Sequence, residues 1–420
     1  MLAFLRTAMV PVLKAGLAAV GFGLSLYVAR SLGSAAFGIY AAATTTVVVF
    51  AGIIQHVADA VYLRAVDGLP EGEEGGVIRA NALLRLIGAA ASILLILLGL
   101  GTAALLGRTG PFTPTMVALI CVGVAATVAM SIPQIVHQSR QHFRRYLTID
   151  IAMYGLRVVG LAGLTLANGL TLMFAFALHV LAPAVAIFGS PARIGPSMPP
   201  PRIRVEMVRM IRLARWIGAA FVFSILTSKL DLLMLAFLVP PSETGLYAAA
   251  LNLAIVAEFA GAFLLVVYYP RILEWYRLGR LRAVLMQFLL VAVPLAVAAA
   301  WLGVLYAEPI ILTIFGPAFA GSAPLFAVLL PCALFMMVVQ PVAAPFINLR
   351  APHVLCAVEA IGLAVAVVGI AFAVSRFGAV GAAWAIVIVR SAVGAFILLW
   401  ALVRARPDEL PATLRTEPLT

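Results

Sequence analysis

KLDLLMLAFLVPPSETGLYAAALNLA, residues 229–254, decides the fold. Lys229 and Asp231 sit in an apolar run that ends at Pro240-Pro241, and a second apolar run opens with Gly245-Leu246-Tyr247. Upstream the first run reaches Trp216; downstream the second reaches residue 268. Each arm therefore attains the roughly 20 residues that a helix needs to cross a hydrocarbon core about 30 Å thick. Backbone polar groups at that depth are satisfied only within helices or closed barrels, so the stretch predicts two spanning helices joined by a tight turn.

Working outward, the same pattern recurs along all 420 residues. It predicts twelve spans, at 9–31, 37–57, 82–105, 115–136, 147–167, 170–189, 216–238, 244–268, 284–306, 322–346, 353–375 and 379–403. Hydrophobic residues make up 64% of the chain and charged residues 10%, against about 25% charged in a soluble domain. The expected class is an all-α integral membrane protein. The apolar start has no small-residue cleavage site after a short core and reads as a retained first helix. Cys121, Cys332 and Cys356 lie singly in or beside spans, which points to packing and not to metal or redox chemistry.

The chain holds 28 basic residues and a net charge of +12. In a soluble protein that balance would suggest nucleic acid, but no module of interleaved basic and aromatic residues is present. Sorted by linker together with the adjoining span ends, twenty-one basic residues, Arg85 among them, fall on one side and three, Arg30, Arg108 and Arg376, on the other. The remaining four, Lys14, Arg157, Lys229 and Arg390, lie inside spans. This is the positive-inside bias, and it predicts that both termini are cytoplasmic. The basic linkers also face the anionic head groups of membrane lipids.

The longest polar stretch, 190–215, is rich in Pro and Arg. It divides an N-terminal lobe, 1–189, from a C-terminal lobe, 216–404; a polar tail, 405–420, follows. The second half begins by repeating the first. Gly38, Tyr40 and Ala41–Ala43 match Gly245, Tyr247 and Ala248–Ala250, and Phe50-Ala51-Gly52 returns as Phe259-Ala260-Gly261. Each half holds six spans and starts on the same side, which predicts two pseudo-symmetric six-helix lobes about an axis along the membrane normal, with a central cavity between them.

Charges at membrane depth cost at least ~2.5–3.5 kcal/mol on insertion scales, so they mark partners or wet cavities. Arg157, Lys229 and Arg390, with Lys14 nearer the cytoplasmic end, are the candidate cavity residues for an anionic substrate. Asp231 and Glu258 are candidates for ion coupling or for structural pairing, Glu258 with Arg390 among the options. Glu359 lies near the cytoplasmic end of its span. His179, inside the sixth span, is a weaker proton-relay candidate. Three prolines in the tenth span, Pro331, Pro341 and Pro345, predict a kink. Gly16, Gly21, Gly23, Gly155, Gly160 and Gly163 read as close helix contacts.

The run 229–254 also resembles a recurring stretch of the multidrug/oligosaccharidyl-lipid/polysaccharide (MOP) exporter superfamily, with Asp231, Gly245, Tyr247 and Ala249 at its marked positions. ARSLGSAAFGIYAAA (29–43), with Leu32-Gly33, Gly38 and Tyr40, and TIFGPAFAGSAPLFAVLLP (313–331) resemble two further stretches of it. With twelve spans, the chain looks like the polysaccharide branch, the Wzx-type flippases of O-antigen and exopolysaccharide synthesis. That resemblance implies a flippase moving an undecaprenyl-pyrophosphate-linked oligosaccharide across the inner membrane for lipopolysaccharide or exopolysaccharide synthesis. It implies no cofactor; a polysaccharide polymerase and other assembly proteins would be partners. Phosphate-binding Gly-Lys-Ser/Thr loops, H-E-x-x-H and G-x-S-x-G are absent from the sequence, and so is a large acid-bearing external loop; the expectation is a transporter, not an enzyme. The rival readings are a cation-coupled multidrug exporter and a membrane polymerase or ligase.

Overall fold

A computed structural model of the chain describes residues 2–66, 74–105, 110–189, 200–278, 280–339 and 351–404. Among these residues, eleven α-helices follow one another: α1 Leu2–Val66, α2 Glu74–Leu105, α3 Pro114–Ser139, α4 Phe143–Leu166, α5 Leu172–Ala186, α6 Pro200–Leu238, α7 Pro241–Arg277, α8 Leu281–Leu305, α9 Ala307–Phe315, α10 Ser322–Val339 and α11 Pro352–Arg404. Nine are long and apolar enough to cross a membrane among the described residues. Two of these, α1 and α11, are each broken by a glycine in the left-handed region, Gly33 (φ 76°) and Gly378 (φ 56°). A side chain there would strain the backbone, so each long helix is two crossings with a glycine corner. With α7, the crossings among the described residues number twelve and follow the predicted spans, the tenth as far as Val339.

Burial sorts the helices by position. Only 6% of the apolar window of α8 is buried, against 67% for α10. The outward faces of α8 and α11 carry Leu290, Val291 and Val368 exposed at 63–75%. Apolar surface this extensive has no place in water and belongs against lipid.

Three segments depart from the sequence reading. Helix α6 begins at Pro200, so the second half of the expected linker 190–215 is helical; residues 190–199 lie outside the described residues. The cause is periodicity: Ile203, Met207 and Met210, at i, i+4 and i+7, pack on Val61, Tyr62, Val77, Ile78 and Val136, and the intervening arginines mask an apolar stripe. The stretch 307–321, between the expected ninth and tenth spans, holds the short helix α9 and a 3₁₀ turn, Pro317–Phe319, separated by Gly316 at φ 91°. Of the six glycines expected at close helix contacts, only Gly21, against Tyr154, and Gly160, against Leu178, meet a neighbour; Gly16, Gly23, Gly155 and Gly163 face open space. Pro331 lies inside α10, whereas Pro341, Pro345 and the tail 405–420 fall outside the described residues.

The repeat has a structural counterpart where α1 meets α7. A Cβ on Gly38 would strike the Pro241 carbonyl and come within 2.7 Å of the Gly245 amide. A Cβ on Gly245 would strike the Ser34 carbonyl and lie 3.1 Å from the Gly38 amide. Ser34 precedes Gly38 by four residues, as Pro241 precedes Gly245. Each repeat thus presents the same patch to the other, the reciprocal contact of a local two-fold axis. Only small residues at this spacing let the backbones approach so closely. Around the crossing, Asn252 donates to Ser25 Oγ (3.2 Å), the Arg30 guanidinium donates to the Thr313 carbonyl (2.5 Å), and Phe37 meets Phe319 edge-on at 6.0 Å.

Candidate functional site

Below that crossing lies a cavity of about 530 Å³. It runs from Val28 and Tyr40, beside the crossing, past Arg157 and His179 to Gln55, Gln134 and Lys14, toward the helix ends that carry the arginine-rich linkers. Most of the wall comes from the N-terminal lobe, and α6 and α7 close it with Leu232, Asn252 and Ile255.

Helix α4 supplies its charge. Asp150, Tyr154 and Arg157 stand at i, i+4 and i+7, hence on one face, and all three line the cavity. Asp150 is matched there: Lys14 Nζ lies 3.3 Å from one carboxylate oxygen, and Gln134 donates to the other at 2.7 Å. Lys14 also stacks over the Tyr146 ring at 4.3 Å. Asp150 was not singled out from the sequence, although its seven-residue offset from Arg157 places the two on one helix face.

Arg157 is different. Its Nη2 donates to the His179 carbonyl at 2.8 Å, and the guanidinium lies 5.6 Å from the centre of the Tyr154 ring. Its Nε is buried without a hydrogen-bond partner, and no carboxylate lies within ion-pair distance among the described residues. Beside it, the Tyr40 hydroxyl and His179 Nδ1 are 3.3 Å apart. The cavity therefore holds one compensated cation and one uncompensated, planar donor.

Lys229 and Arg390 are not brought to this wall. They belong to a second cluster in the C-terminal lobe, where Arg390 Nη2 donates to Glu258 Oε1 at 2.8 Å. Asp231 accepts from the Tyr247 hydroxyl at 2.5 Å and from the Leu232 amide at 2.8 Å. Lys229 lies within electrostatic reach of Asp231, Glu258 and Arg390. The repeated tyrosines thus play parallel parts: Tyr40 meets the titratable His179 in one lobe, and Tyr247 meets Asp231 in the other.

Arg85, grouped by sequence with the cytoplasmic charges, is fully buried in α2. It pairs with Asp59 on α1 and donates to Asn81 Oδ1 (2.7 Å) and Ser131 Oγ (2.6 Å), which ties α1, α2 and α3 together. Burial with these donors engaged makes it a structural cation.

The fold is that of known membrane transporters. The lipid II flippase MurJ, in an inward closed conformation, superposes with a TM-score of 0.72 at 12% identity, over 97% of this chain and 88% of that one. An inward-facing multidrug resistance MATE family transporter of the MOP superfamily gives 0.64 at 13% identity, over 94% and 98%. A eukaryotic MATE transporter, AtDTX14, gives 0.61 at 15% identity, over 95% and 94%. No curated protein matches the sequence. The model of the polysaccharide biosynthesis protein family matches residues 5–275, which include the repeat, the crossing and the whole cavity wall. That match spans more than half of the chain, and the protein belongs to the polysaccharide biosynthesis protein family.

Proposed function

We propose that the protein is a flippase that moves a polyprenyl-pyrophosphate-linked oligosaccharide from the cytoplasmic to the periplasmic leaflet of a bacterial inner membrane, with both termini cytoplasmic. The observation that carries this reading is Arg157. An arginine kept without a counter-charge in an intramembrane cavity is costly, and an anion arriving from outside would supply what it lacks. A guanidinium offers phosphate a bidentate fork. Neutral donors and acceptors nearby, Gln55, Thr44 and Asn252, suit sugar hydroxyls. The lipid tail can stay in the bilayer while the head crosses through the cavity, which avoids desolvating sugar and phosphate in hydrocarbon. Lys14 is the second cavity cation in this account. Lys229, Arg390, Asp231 and Glu258 act in the C-terminal lobe, as an ion-coupling or structural cluster.

Family membership and the flippase among the structural neighbours support the reading. A cation-coupled drug exporter would favour an uncompensated acid at the position of Arg157. A polysaccharide polymerase is a partner in this account, consuming the delivered lipid-linked units. Deleting the gene should make lipid-linked repeat units accumulate where only a cytoplasmic-side enzyme reaches them. Accumulation on the periplasmic side would place the protein after translocation and overturn the proposal.

A further inference from the structure

Helix α5 carries a proline where its backbone meets the cavity cation. Pro183 lies inside the helix, is buried and lines the cavity. A proline has no amide hydrogen, so the carbonyl four residues before it receives no helical hydrogen bond, and the pyrrolidine ring pushes that carbonyl off the helix axis. Here the freed carbonyl is that of His179, and it is the one that accepts from Arg157 Nη2 at 2.8 Å. The proline on α5 and the arginine on α4 are two halves of one contact.

The surroundings hold the acceptor in place. The His179 ring stands edge-on to Tyr40, with ring centres 6.0 Å apart and Nδ1 3.3 Å from the Tyr40 hydroxyl. Tyr40 is also edge-on to Phe176, three residues earlier on α5, and Val180 fills the space that a side chain on Gly123 of α3 would need. A backbone carbonyl has no side-chain torsion, so it fixes the group bound to it more closely than a side-chain partner could. It also carries no net charge. A carboxylate at the same place would orient the guanidinium equally well but would cancel the charge that an incoming anion needs. Carbonyls freed by prolines in membrane spans are commonly satisfied by a hydroxyl or a water, and neither brings a costly charge to membrane depth as Arg157 does.

We propose that Pro183 is a positioning residue for anion binding. By denying the His179 carbonyl its helical partner, it creates a neutral anchor that orients the Arg157 guanidinium in the cavity and leaves its charge for a phosphate. A group held in advance loses less freedom on binding than one that samples many rotamers. The phosphate ligand rests on the flippase reading; the anchor itself does not.

The test uses the full chain in lipid nanodiscs and two variants. Pro183→Ala restores the amide hydrogen and with it the helical bond to the His179 carbonyl. Pro183→lactic acid, introduced with a suppressor tRNA, has the alanine side chain on an ester link and so lacks that hydrogen. Inorganic pyrophosphate is the binding probe; phenylglyoxal, which bridges two guanidinium nitrogens, reports on Arg157 itself through peptide mass spectrometry. Pro183→Ala should bind pyrophosphate roughly fivefold or more weakly than the wild type, the effect of about one hydrogen bond, and its Arg157 should be labelled several-fold faster. Pro183→lactic acid should match the wild type in both. A lactic acid variant that follows Pro183→Ala, equal Arg157 labelling in all three proteins, or undiminished pyrophosphate affinity in Pro183→Ala overturns the proposal. If labelling tracks the amide hydrogen while the wild type itself binds no pyrophosphate, the cargo assignment fails and the anchor stands.

Discussion

Arg157 and Arg85 are the same side chain in opposite surroundings. Arg85 has its donors engaged by Asp59, Asn81 and Ser131, and truncating it would leave the buried Asn81 and Ser131 oxygens without their donor at a cost of roughly 1–3 kcal/mol, the usual range for an unsatisfied buried polar group, while the half-exposed Asp59 carboxylate turns to water. Arg157 has one donor engaged, by the His179 carbonyl. Arg157→Ala should therefore insert and accumulate normally while surface polysaccharide falls at least about tenfold, the loss of ~1.4 kcal/mol or more of charge-assisted binding. Arg157→Lys should recover only part of that, since the ammonium keeps the charge and loses the fork. Surface polysaccharide and membrane protein level, measured together, check both. The sequence marks Arg157, Lys229 and Arg390 alike as basic residues at membrane depth. Which of them has a partner depends on the helix opposite, and spacing along one helix carries no such information; Arg390 takes Glu258 from a span 132 residues away.

At the scale of elements, spans were readable because the bilayer imposes a length and a composition, and those signals are local. The arginine-rich first part of α6 was not. Arg202, Arg204, Arg209, Arg212 and Arg215 lower its hydropathy, while its ordering comes from Ile203, Met207 and Met210 against α1, α2 and α3. The crossing of α1 and α7 lies between. Its glycines were visible as a repeat, but the contact of one copy with the other was not. Gly38→Leu should force the backbones apart and cost at least ~1–3 kcal/mol, the usual penalty for overpacking. Gly16→Leu, in open space, should cost nothing comparable. Thermal unfolding of the two variants in detergent should differ by several degrees, with Gly38→Leu the lower. Equal melting temperatures would show that the crossing is looser than described.

For the whole molecule, the two lobes meet at a reciprocal glycine contact near one face, and the cavity below it leads toward the arginine-rich end. A chain built this way can expose its cavity to one side while the crossing closes the other. The central claim is that what enters is the phosphate-bearing head of a lipid-linked sugar. The direct measurement reconstitutes the purified protein in liposomes with an undecaprenyl-pyrophosphate-linked oligosaccharide and, separately, a cationic dye. Access of the oligosaccharide to an impermeant glycosidase reports flipping; dye accumulation reports drug export. The account predicts that the wild type flips the glycolipid well above protein-free liposomes, that Arg157→Ala does not, and that neither moves the dye. Dye transport without glycolipid flipping, or flipping untouched by Arg157→Ala, would contradict it.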